Sequence, residues 1–165
     1  MILIAYDGSD DAKSAIDHAG ALMPGQTARV VTVWEPYIRM LTRYPTPGAL
    51  LAGDGTEIDD ATRTAADEKA AEGAARARAH GLEASSWGVA REDSIAETLL
   101  AEADRTNAGA IVVGSRGLGG LGTLLLGSVS HALLAHADRP IVIVPSPKVA
   151  RQRNERRRAL DESAV

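Results

Sequence analysis

The chain has no cysteine and no phenylalanine among its 165 residues, and aromatic residues make up only 3% of it. Without cysteine there is no disulfide, no thiol nucleophile and no thiolate metal site. With so few aromatics, the core must be assembled from Ala, Val, Leu and Ile, which suits helices laid on a parallel sheet. Long apolar runs are also missing. None approaches the roughly 20 residues that a membrane-spanning helix needs. Met1 leads straight into an apolar run with no basic leader, so no secretory signal is read and a cytoplasmic setting is expected. The net charge of −4 gives no general reason to expect nucleic-acid binding.

Several catalytic signatures are absent as well. There is no G-x-x-x-x-G-K-[ST], so the lysine and the magnesium-binding hydroxyl of a phosphate-loop hydrolase are lacking. No G-x-S-x-G marks a nucleophile elbow. No H-E-x-x-H occurs, and His131 and His136, five apart, would point about 140° away from each other on a helix. Neither pair nor motif offers a metal site.

What is present is an alternation of five apolar strand-like runs with helical patterns. The runs are Ile2 to Ala5, Ala28 to Trp34, Ala84 to Val89, Ala110 to Val113, and Ile141 to Val144 between Pro140 and Pro145. Such alternation predicts βαβ units and a parallel sheet covered on both faces, in one α/β domain. Ala12, Ala15, Ile16, Ala19 and Leu22 share one helical face, with Ser9 or Asp10 as cap. Asp59 to His80 reads as a long Ala-rich helix stopped by Gly81. Ser94-Ile95-Ala96-Glu97 is a capping box ahead of the buried stripe Leu99, Leu100 and Ala103. Ser128 to Ala137 is the last core helix. The domain is expected over residues 1–147, with an Arg-rich tail over 148–165.

Two stretches break the pattern. Glu35 to Thr56 holds three prolines and three glycines, is too long for a simple connection, and is expected to be a lid or an interface, with surface packing of its apolar residues as the alternative. Arg151 to Val165 carries five arginines among acids. It reads as a solvated or frayed helix, with a phosphate- or nucleic-acid-binding arm as the sharper alternative.

The most informative stretch is Ile111-Val112-Val113-Gly114-Ser115-Arg116-Gly117, then nine residues, then Gly127-Ser128-Val129. A buried strand, a glycine-rich loop and a helix N-terminus make an anion site, because free backbone N–H groups converge there and the helix dipole adds positive potential. Glycines let the backbone approach a phosphate closely. Gly117 to Gly122 also satisfies G-x-G-x-x-G. It follows the fourth strand rather than the first, and the acid that should bind a ribose falls at the wrong end of the sheet, so dinucleotide binding is set aside. Tyr6-Asp7-Gly8-Ser9 lies where the first strand gives way to a helix. In an open α/β sheet, ligands bind at the carboxyl ends of strands whose connections diverge, and strands one and four are the natural pair. Asp7 would then accept hydrogen bonds from a ribose or a base near a ligand whose phosphates rest on Gly127 and Ser128. Alternatively, Asp7 and Ser9 only cap a helix.

These residues resemble the universal stress protein family, whose pattern G-x2-G-x9-G-[ST] is met by Gly114, Gly117, Gly127 and Ser128. The first strand leading into Asp7-Gly8-Ser9 and the closing Arg139-Pro140-Ile141-Val142-Ile143-Val144 strand are also similar to the family, over about residues 1–146. The resemblance implies a five-stranded parallel sheet of order 3-2-1-4-5, with helices on both faces. It implies an ATP site with Ala5, Val33 and Val113 lining the adenine pocket and Asp7, beside Gly8, at the ribose or adenine. Gly114, Ser115, Arg116, Gly117, Gly127, Ser128, Val129 and Ser130 would surround the phosphates. Mg2+ would be an optional companion of the triphosphate. The resemblance further implies a homodimer through Ile141 to Val144, an apolar edge that would otherwise need protection. The function expected is an ATP-dependent regulatory switch of the stress response. A slow ATP hydrolase or phosphotransferase, and a dimerisation module that takes AMP or no nucleotide, are the alternatives.

Overall fold

The computed structural model describes residues 1–43, 55–118 and 126–163. Its five parallel strands are β1 (Ile2–Ala5), β2 (Thr27–Trp34), β3 (Glu83–Ala90), β4 (Ile111–Gly114) and β5 (Ile141–Val144). They lie in the order β3-β2-β1-β4-β5. The register sets Ile4 beside Val30 on one side and Val112 on the other. The six helices among the described residues are α1 (Asp10–Leu22), α2 (Tyr37–Arg43), α3 (Thr56–Ala79), α4 (Ile95–Arg105), α5 (Ser128–His136) and α6 (Pro147–Ser163).

Strand alternation divides the core in two. Ile2, Ile4, Tyr6, Val30 and Val112 face α1 and α3, whose contribution is largely alanine. Leu3, Val31, Ile111 and Val113 face α4 and α5, meeting Leu99, Ala103 and Leu133. Ala5 and Val33 sit on this second face as well.

The helix α3 docks through a stripe of small residues: Ala66, Ala70, Gly73, Ala74 and Ala77 are all buried. Gly73 is required by close approach, since a β-carbon there would stand 2.8 Å from Tyr6 Cδ1 and 2.9 Å from Val30 Cγ1. The Tyr6 hydroxyl donates to Glu72 Oε1 at 2.6 Å, and Arg76 forks onto the Asp17 carboxylate of α1 at 2.6 and 2.7 Å. Burial, reinforced by Glu72, pushes the Tyr6 phenol above its ordinary pKa.

The cap of α1 is Ser9, whose Oγ accepts from Ala12 N at 3.2 Å. The capping box of α4 is formed by Ser94 and Glu97 as the sequence predicts. In the segment expected to be a lid or an interface, α2 occupies residues 37–43, and Tyr37 N donates to Asp59 Oδ1 of α3 at 2.6 Å. Tyr44, Leu50 and Leu51 of that same segment lie outside the described residues. The tail is helical in α6. Val149 near its start is buried, Arg153 is half-buried, and Arg151, Arg156, Arg157 and Arg158 are exposed.

Candidate functional site

The strand order reverses between β1 and β4, and a crevice of about 620 Å³ opens there at the carboxyl ends of the strands. One wall is apolar: Ala5, Val31, Val33, Val113 and Leu99. The other end is polar and is built from Gly114, Arg116, Gly117, Leu118 and the start of α5.

Two of the helices that begin at this edge, α1 and α4, are capped by their own serines. The N-cap of α5 is Gly127, which has no side chain to offer, and no side-chain cap is made. The first amides of a helix have no acceptor within it. Those of Ser128, Val129 and Ser130 therefore open onto the crevice, where the helix dipole favours an anion.

The glycine loop is held from three sides. Asp7 Oδ1 accepts from Ser9 N at 2.9 Å, and Oδ2 accepts from Leu118 N at 3.1 Å. Ser115 is fully buried, and its Oγ donates to Asp11 Oδ2 at 2.7 Å. Its carbonyl accepts from Gly127 N at 2.8 Å and from Ser130 Oγ at 3.0 Å, which ties the first glycine turn to the second.

Of the residues expected at the site, Ala5, Asp7, Val33, Val113, Gly114, Arg116, Gly117, Gly127, Ser128, Val129 and Ser130 all line the crevice. Two do not. Gly8 faces a neighbouring hollow beside Lys148. Ser115 turns inward to Asp11 because a buried carboxylate needs a donor more than the solvent-facing loop does. Gly114 also has a different reason for being glycine. A β-carbon there would meet the backbone of α1, 2.7 Å from Asp11 C and 2.8 Å from Ala12 N, so the close neighbour is a helix. Gly119, Gly120, Leu121 and Gly122 lie outside the described residues.

Sequence reasoning did not find Thr32, Ile95, Leu99 or Lys69, which also line the crevice. Leu99 had a signal as part of a buried helical stripe. Lys69 had none, because only the docking of α3 brings it here. Among the described residues no three His, Asp or Glu side chains are grouped to hold a metal ion.

The fold and the crevice together define a doubly wound α/β protein with an open crevice at its switch point. The universal stress protein family model matches residues 1–145. A universal stress protein of Thermus aquaticus is 34% identical over 151 residues, covering 87% of this chain and 96% of that one. The chain belongs to the universal stress protein family. Among solved structures, the protein MJ0577 superposes with a TM-score of 0.71 at 20% identity, over 87% of this chain and 94% of that one. The universal stress protein of Archaeoglobus fulgidus solved in complex with dAMP has a TM-score of 0.54 at 22% identity, over 87% and 95% of the two chains. No helix among the described residues is long and apolar enough to cross a membrane.

Proposed function

We propose that the crevice binds ATP and that the chain works as a nucleotide-dependent switch in the stress response. The observation that carries this reading is the uncapped N-terminus of α5, aimed with the Gly114–Gly117 loop into the polar end of an apolar-walled crevice. The base would lie on Ala5, Val33 and Val113, and the phosphates on the amides of Ser128 to Ser130. Asp7 would serve the ribose while keeping the loop in place. The crevice volume falls within the range of small-molecule sites. A ligand that favours one loop arrangement by a few kcal/mol shifts the population of that state substantially.

The switch would act as a homodimer in a cytoplasmic setting. In the described sheet β5 pairs only with β4, and its Ile141, Val142 and Ile143 are only partly buried, so a second copy can cover that edge. A second reading, a monophosphate ligand, draws on the dAMP complex of the Archaeoglobus relative. Hydrolysis has less support, since Asp7 is the one carboxylate among the described residues lining the crevice, and this reading assigns it to the ribose and the loop.

Native mass spectrometry of the purified chain tests the reading, together with calorimetric titration by ATP and AMP. Retained or titrated ATP on a dimer is the expected result. A chain that takes up no adenine nucleotide overturns it.

A further inference from the structure

Lys69 stands apart from the other cations of α3. Arg76 is locked onto Asp17, Arg78 donates to the Ala84 carbonyl, and Arg63 lies near Asp60. Lys69 has no hydrogen bond or ion pair among the described residues, and it lines the crevice. Its stem lies along the turn after β1: a β-carbon built on Gly8 would stand 3.8 Å from Lys69 Cδ and 3.9 Å from Cε. Asp7, the next residue back, holds the Leu118 amide of the glycine loop.

The position of Lys69 is fixed by packing. Lys69, Glu72, Gly73 and Arg76 recur at i, i+3, i+4 and i+7 along the docked side of α3. Gly73 is pressed on Tyr6, Glu72 holds the Tyr6 hydroxyl, and Arg76 holds α1. One turn before Gly73, the helix reaches the sheet's carboxyl edge, so Lys69 extends over the crevice. Its apolar stem rests on Gly8 and its ammonium is left for solvent or a ligand.

We infer that Lys69 is the counter-charge for the terminal phosphates and makes the site prefer nucleoside triphosphates over monophosphates. This rests on the nucleotide reading above. Backbone amides and a helix dipole hold one or two phosphates well, but they supply only partial charge. A triphosphate brings further negative charge, and a lysine ammonium is a compact point charge suited to it. The phosphate-loop signature places its lysine after the glycines, and this chain has none there. Here Arg116 lies within the glycine loop, and Lys69 adds a second cation from a different element, across the crevice.

The test is calorimetric titration of the full chain and of Lys69→Met and Lys69→Arg with ATP and AMP, at low and high salt. Methionine keeps the stem over Gly8 and removes the charge. The expected result is a loss of about tenfold or more in ATP affinity for Lys69→Met, with AMP affinity nearly unchanged and a weaker salt dependence for ATP. Lys69→Arg should keep most of the ATP preference. Equal losses for ATP and AMP, or no loss for either, overturn the inference. Wild-type protein that binds neither nucleotide overturns the nucleotide reading itself and this inference with it.

Discussion

The Asp7 carboxylate stands against Gly117: a β-carbon on that glycine would lie 2.6 Å from Oδ2. The same oxygen accepts from Leu118 N at 3.1 Å. Gly117→Ala therefore pushes the carboxylate off the loop it holds. Nucleotide affinity should fall by about tenfold, while stability changes by less than about 1 kcal/mol because Gly117 is exposed. Titration and thermal melts of the same preparation separate the two effects. Unchanged affinity would show that this clamp does not shape the site.

Ser115 and Asp11 form a buried pair between the loop and α1. Ser115→Ala leaves the Asp11 carboxylate without that donor and should cost about 1–3 kcal/mol in denaturant unfolding. Adding Asp11→Ala should cost less in the Ser115→Ala background than in wild type, since the partner is already gone. Additive losses would mean that the two groups are not coupled.

Gly73→Ala sets two effects against each other. Alanine favours the helix by about 1 kcal/mol. The added methyl meets Tyr6 and Val30 at under 3.0 Å, and overpacking of a core costs about 1–3 kcal/mol. The steric term should win, and the melting temperature should drop. A rise would show that α3 can shift away from β1 freely.

The Arg76 guanidinium holds the Asp17 carboxyl below the usual carboxylate range, chiefly through its hydrogen bonds. The folded pKa is thus lower than the unfolded value of about 3.9. The stability this provides is complete above about pH 4 and is lost as pH falls through the folded pKa. Urea midpoints of wild type and Asp17→Asn should therefore differ most near neutral pH and converge as pH falls below about 4. A gap that stays constant with pH would exclude this linkage.

Much of the sheet was legible because buried parallel strands are written as short apolar runs. Ile2–Ala5 and Ile141–Val144 fall where the sequence puts them. Ser94 and Glu97 mark a helix start by chemistry that is local in sequence, and so do Gly127 and Ser128. The site's glycines were legible as a pattern, but their reasons were not. Gly114 is crowded by α1 and Ser115 is claimed by Asp11, and both facts depend on a partner far away in the chain, 104 positions for the serine. Lys69 was invisible for the same reason. The helix α2 was missed because a seven-residue helix beside prolines carries too little periodicity to read.

The hydrogen bond from Tyr37 N to Asp59 Oδ1 joins the two ends of the Pro- and Gly-rich segment. A stretch tied at its base can be lengthened cheaply, since doubling such a length costs only about 0.6 kcal/mol in closure entropy. Insertions and deletions between those anchors should leave the sheet and crevice intact. The chain can therefore change length between these anchors while the hollow at the switch point keeps its shape.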